Sequence, residues 1–157
     1  MTTTIIKVTI ADPDSLRVVP ALRDRVMRFS EEFGDSGVSP DLVWAEIVQQ
    51  IYSPNPYIMV LAGLDESDSV IGHAVLRLEQ GRGMRWVLVE QYHTDRAVPV
   101  EQIQEMLSEI EAAAANFGAV EMRCLASRRA HVRAYERFYG FHVKRVLMTK
   151  PLARQEA

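Results

Sequence analysis

The chain has 157 residues, 48% of them hydrophobic and 25% charged, enough for one globular domain to bury a core without staples. A formal net charge of -3 argues against a general nucleic-acid binder, and a single cysteine, Cys124, excludes an internal disulfide and suits a reducing compartment. Met1-Thr2-Thr3-Thr4 opens no leader pattern and no stretch approaches a membrane span, so the expectation is one cytoplasmic domain over residues 1–157 with no membrane partner.

In chain order, alternation from Ile5 to Ile10 predicts a first strand, and Asp12-Pro13 reads as a helix N-cap with proline at the first helical position. Leu16, Val19, Leu22, Val26, Phe29 and Phe33 recur at steps of three or four, predicting a helix with one buried stripe and a kink or late start at Pro20. Gly34 to Gly37 ends it. Ser39-Pro40 opens a second helix to about Tyr52, and Ser53-Pro54-Asn55-Pro56 breaks it. Three strands follow, Tyr57–Ala62, Val70–Leu78 and Met84–Tyr92; in the last, Trp86, Leu88 and Glu90 are expected on one face and Val87, Val89 and Gln91 on the other. Pro99 begins the longest helix, which closes at Gly118; Ala119–Ala126 is a strand, Ala130–Tyr139 a short helix stopped by Gly140, and Phe141–Met148 a last strand.

Charge is distributed unevenly. From Glu121 to Lys150 eight Lys and Arg face two Glu, a surplus of six positive charges, so the remainder carries nine net negative charges. Such a face meets a phosphate, an acidic partner or water. Cys124 lies among strand-like residues and reads as a buried, inert thiol. His93 and His131 lack the paired spacing of metal ligands, so no metal is assigned.

The order strand, two helices, three strands, helix, strand, helix, strand resembles the GNAT superfamily of N-acetyltransferases over nearly the whole chain. The most specific match is Ala134-Tyr135-Glu136-Arg137-Phe138-Tyr139-Gly140-Phe141, similar to that family's Tyr-Glu-Lys-Leu-Gly-Phe close, followed by a strand running into Met148-Thr149-Lys150-Pro151-Leu152. The resemblance implies an α/β acyl-CoA N-acyltransferase fold, with a mixed, mostly antiparallel sheet flanked by four helices. It also implies acetyl-CoA in a gap between two central strands, with its pyrophosphate at the N-terminus of the long helix. The family's glycine-rich loop at that point has no counterpart. No glycine occurs between Gly83 and Gly118, and Thr94 to Gln102 offers Val98, Pro99 and Val100 instead, with Glu101 nearby, which makes the phosphate loop degenerate.

What the resemblance implies for single residues is a base at Glu90 and a proton donor at Tyr135. Cofactor contacts would come from Val89, Gln91, Arg96, Ala97, Val98, Val100 and Arg128. If Glu90 faces the cleft, Trp86 and Leu88 would desolvate it; alternatively it reaches water at the strand's end. Tyr135 is displaced by one residue from the family's position, and its four-residue spacing from Tyr139 also suits two core-facing rings. Two functions therefore stand: an acetyl-CoA-dependent N-acetyltransferase of a small-molecule or protein amine, or a catalytically silent module of a larger assembly, including a viral particle, that meets a protein partner.

Overall fold

Apolar residues at helical spacing fold Val18–Phe33 into α1 and Pro40–Ile51 into α2. Five strands, β1 (Lys7–Ile10), β2 (Ile58–Leu64), β3 (Val70–Gly81), β4 (Met84–Thr94) and β5 (Glu121–Cys124), form one sheet in the order β1-β2-β3-β4-β5. The first three pairings are antiparallel, and β4 pairs with β5 in parallel across α3 (Val100–Asn116). Helix α4 (Arg129–Tyr139) comes last. This computed structural model describes residues 7–10, 18–34, 37–53, 57–126, 128–146, 148 and 150. The readings made on Ile5-Ile6, Asp12-Pro13, Pro54 to Pro56 and the Pro151-Leu152 close lie outside them.

The chain divides into two compact units, Met1–Leu125 and Ala126–Ala157. In the first, one core lies between the helix pair and the sheet: Leu22 and Val26 of α1 and Ile47 and Ile51 of α2 pack on Ile58, Val60, Ala62, Leu64 and Val75. On the other side, α3 buries Met106, Leu107, Ile110 and Ala114. Tyr92 on β4 donates to the carbonyl of Ile103 at 3.1 Å, and a Cβ on Gly72 would lie 3.3 Å from Met106 Sδ, so sheet and helix approach closely there. Pro20 is the third residue of the described α1, a position where a missing N–H takes no hydrogen bond from the helix. Among the described residues no helix is long and apolar enough to cross a membrane.

In the second unit α4 ends at Gly140, which adopts the left-handed conformation (φ 71°, ψ 11°), and Phe141 N–H reaches the carbonyl of Tyr135 at 3.2 Å. Gly140→Ala should cost about 1 kcal/mol because any side chain crowds that conformation. A melting temperature lowered by about 2–4 °C is the expected readout. Where a last strand was expected, the described residues of 141–148 belong to no ladder, and Val143, Val146 and Met148 are exposed. Alternating side chains favour a strand only where a neighbour supplies hydrogen bonds and a covered face.

Candidate active site

The site is built where β4 departs from regular pairing. Val75 pairs with Gln91 and Leu76 with Val89, so Glu90 is an extra residue in β4, a β-bulge. Val75 lies in the core beneath α1 and α2, which puts His73, Arg77 and Glu79 on that same side of β3. Their partners on β4 are His93, Leu88 and Trp86. The bulge corrects the expected alternation: Gln91 does not share a face with Val87 and Val89 but crosses to the side of Glu90, beneath α1. Both Val89 and Gln91 have buried side chains, so what they offer a ligand at the strand edge is main chain.

Glu90 is partly exposed at the bulge. Its carboxylate receives Arg77 Nε at 2.7 Å and stays 28% exposed, while Arg77 Nη1 donates to Glu46 on α2 at 3.1 Å. Tyr57 donates its hydroxyl to Glu46 at 3.3 Å, and the Arg77 guanidinium stands 5.3 Å from the Tyr57 ring. The Arg77 hydrogen bond holds Glu46 below the usual carboxylate range, against a smaller opposing effect of burial. Burial works against the Arg77 cation, but its bonds to Glu90 and Glu46 outweigh it and raise its pKa further. Along the same face Trp86 Nε1 donates to Glu79 at 2.6 Å, and Arg123 of β5 stacks 4.1 Å over the Trp86 ring. Arg77 and Glu46 escaped the sequence reading because their partners lie 13 and 31 residues away, with no local signal.

Next to the bulge is a buried polar chain. Gln91 Nε2 donates to Ser30 Oγ at 3.0 Å and to the Val26 carbonyl at 3.5 Å, so its Oε1 must accept from His73 Nε2 at 2.9 Å. That fixes the His73 tautomer with its proton on Nε2. His73 is fully buried, and its Nδ1 lone pair has no partner among the described residues. Burial pushes the His73 pKa down to about 4. His93 faces His73 across the strand pair: its ring centroid is 6.2 Å from that of His73, and its Nδ1 accepts from Arg25 Nη2 at 3.2 Å. Arg25 also pairs with Asp95 at 3.0 Å and donates to the Val70 carbonyl at 3.2 Å. Burial, then the Arg25 charge, lowers the His93 pKa. A cavity of about 40 Å³ opens beside Arg25, Phe29, Phe33, His93 and Asp95.

Beyond Val89 no described residue pairs with this edge of β4. β5 pairs with β4 only from Trp86 to Val89, whereas β4 continues to Thr94. A tight turn follows, with Val98 N–H on the Asp95 carbonyl at 3.0 Å and Val98 buried, and α3 starts after Pro99. No residue from Thr94 to Val100 has a positive φ, so this loop turns without needing glycine. Gln102 and Ile103 return to the Pro99 carbonyl, while the amides of Arg96, Ala97, Val100 and Glu101 meet no backbone carbonyl among the described residues.

Tyr135 and Arg128 belong to the second unit. The Tyr135 ring lies 6.4, 5.9 and 5.8 Å from the rings of His131, Tyr139 and Phe141, and Arg128 caps α4 in extended conformation. The structure thus brings Glu90, Val89, Gln91 and the Arg96–Val100 loop together on and just after β4.

No protein-family model and no curated protein matches the sequence. Solved structures do. A probable acetyltransferase shares 16% identity at a TM-score of 0.71 over 96% of this chain and 100% of its own. An aminoglycoside acetyltransferase from an uncultured soil metagenomic sample, in complex with trehalose, shares 11% at 0.68 over 94% and 96%. An aminoglycoside N-acetyltransferase in complex with CoA shares 12% at 0.68 over 94% and 95%. The chain has the GNAT fold. At these identities the fold is what is shared. Within it the bulged β4 and the start of α3 are adjacent.

Proposed function

We propose that this GNAT-fold protein transfers an acetyl group from acetyl-CoA to a primary amine. The observation that carries this reading is a coincidence within residues 90–101 of a bulged carboxylate, a strand edge that no described residue pairs with and four available amides at a helix N-terminus. Small-molecule amines are the acceptor class to test first, because two of the similar structures are aminoglycoside acetyltransferases. A cytoplasmic setting agrees with the single free cysteine, Cys124.

The residues present fit the cofactor. An extended pantetheine arm carries amides that a bare strand edge can bond, as in strand addition. A diphosphate suits the amides of Arg96, Ala97, Val100 and Glu101 at the positive end of α3, with the exposed Arg96 guanidinium beside them. Pro99 gives no donor and Glu101 sets a negative charge among them, so the expected dissociation constant is about 10⁻⁴ M. When bound, acetyl-CoA supplies the thioester whose acetyl group is transferred. Glu90 takes a proton from the incoming ammonium, directly or through one water, which exposes the nitrogen lone pair. In the resting protein Arg77 occupies that carboxylate. A cationic amine competes for it, and Glu46 gives the displaced guanidinium a second partner. The roles implied for Arg128 as a phosphate contact and Tyr135 as a proton donor rest on the resemblance, and Arg128→Ala and Tyr135→Phe test them separately.

Titration calorimetry with CoA decides the cofactor half of the proposal. Saturable heat is expected below about 1 mM ligand. Arg96→Ala should weaken binding about tenfold by removing one charge-assisted contact. A flat titration at that concentration would remove acetyl-CoA from the proposal.

A further inference from the structure

Helix α3 contains no Lys or Arg, and its solvent side carries Glu101, Glu105 and Glu109 at positions i, i+4 and i+8, all exposed. Helix α4 shows the opposite sign at the same spacing, with exposed Arg129, Arg133 and Arg137. Like charges four residues apart oppose each other along a helix, which offsets what Glu101 in the first turn of α3 and Arg137 in the last turn of α4 gain from their helix dipoles. The arginines also begin at the N-terminal turn of α4, which has no acidic residue, where a positive charge opposes the helix dipole. Glu136 lies at the edge of this basic face and leaves the three-arginine row intact. Both rows cover the same length, about 12 Å for eight residues of helix.

We infer that the two rows are complementary docking surfaces, and that the partner is a second copy of this chain, the arginine row of one copy seated on the glutamate row of the next. The spacing, length and sign match, and six net positive charges between Glu121 and Lys150 against nine negative ones elsewhere drive encounter between unlike regions of two identical molecules. A contact of this kind is polar at its centre and sensitive to ionic strength. It is independent of whether the protein transfers acetyl groups.

Sedimentation velocity on the full chain tests it. In about 20 mM salt the protein should form species larger than a monomer as concentration rises, and about 0.5 M sodium chloride should dissociate them, since the screening length falls to about 4 Å. Two triple variants sharpen the test: Glu101→Lys with Glu105→Lys and Glu109→Lys, and Arg129→Glu with Arg133→Glu and Arg137→Glu. Each alone should self-associate at least about tenfold more weakly than the parent. An equimolar mixture of the two should associate again, because the rows are complementary only between the two variants. All six positions are exposed, and a circular dichroism spectrum matching the parent's checks that each variant is folded. A parent chain that stays monomeric at low salt up to about 1 mM, or folded variants whose mixture fails to associate, overturns the inference.

Discussion

Glu90→Gln is expected to slow acetyl transfer by about 10²–10⁴-fold, the range associated with removing a positioned base. The substitution keeps the shape of the bulged residue and the bond from Arg77 Nε, which an amide oxygen still accepts, but deletes the proton acceptor. Thiol release from acetyl-CoA over a panel of small amines measures it, with calorimetry showing that CoA affinity is retained. A loss confined to kcat marks a group acting on the reacting nitrogen, whereas parallel loss of CoA binding would mark a distorted β4. Arg77→Met is the companion. It frees the carboxylate from its guanidinium, and for cationic amines kcat/KM should rise severalfold at pH 7.5, because the amine no longer has a competitor. Full activity in Glu90→Gln would take the proton-acceptor role away from Glu90.

The second large effect is on stability below neutral pH. His73 is fully buried as the neutral Nε2-H tautomer, with its pKa pushed down from 6.5 to about 4. Between those values the unfolded chain binds a proton that the native protein refuses. Stability is therefore unaffected by this group above about pH 7 and is lost as pH falls from about 6.5 to about 4. At pH 4.5 the loss attributable to His73 is roughly 2–3 kcal/mol, a drop of about 5–12 °C in melting temperature. The depressed pKa of the partly exposed His93 acts in the same direction. Thermal melts of the parent and of His73→Gln between pH 7.5 and 4.5 separate this contribution from general acid destabilisation. The variant starts less stable and should show the shallower pH dependence. Parallel curves for the two proteins would show that His73 takes no part.

The architecture was largely legible because hydrophobic spacing reports which face of an element is covered. The stripes of α1, α2 and α3, the hairpin strands and the stop at Gly140 all follow from local rules. What spacing misses is an inserted residue. A bulge at Glu90 changes no composition, yet it moves Gln91 to the other side of the sheet. The expected strand after Phe141 shows the converse, a pattern without a ladder among the described residues. At the site, Glu90 and the turn before α3 were visible as positions, but their surroundings were not. Arg77 and Glu46 come from β3 and α2, and His73, which holds Gln91, looked like one more residue in an apolar strand. The stretch without glycine turns with ordinary backbone angles, since glycine is required only where an angle excludes other residues.

The clasp on Gln91 has a mechanical consequence. Its amide is gripped by a carbonyl and a hydroxyl of α1 on one side and by an imidazole of β3 on the other. Lifting α1 away from the sheet would break the two bonds that Gln91 Nε2 makes to the Val26 carbonyl and Ser30 Oγ, at a cost of about 1–3 kcal/mol for each group left buried and unbonded. The Arg77 guanidinium already bridges Glu90 on β4 and Glu46 on α2, so a cation that reaches the Glu90 carboxylate meets a partner in place.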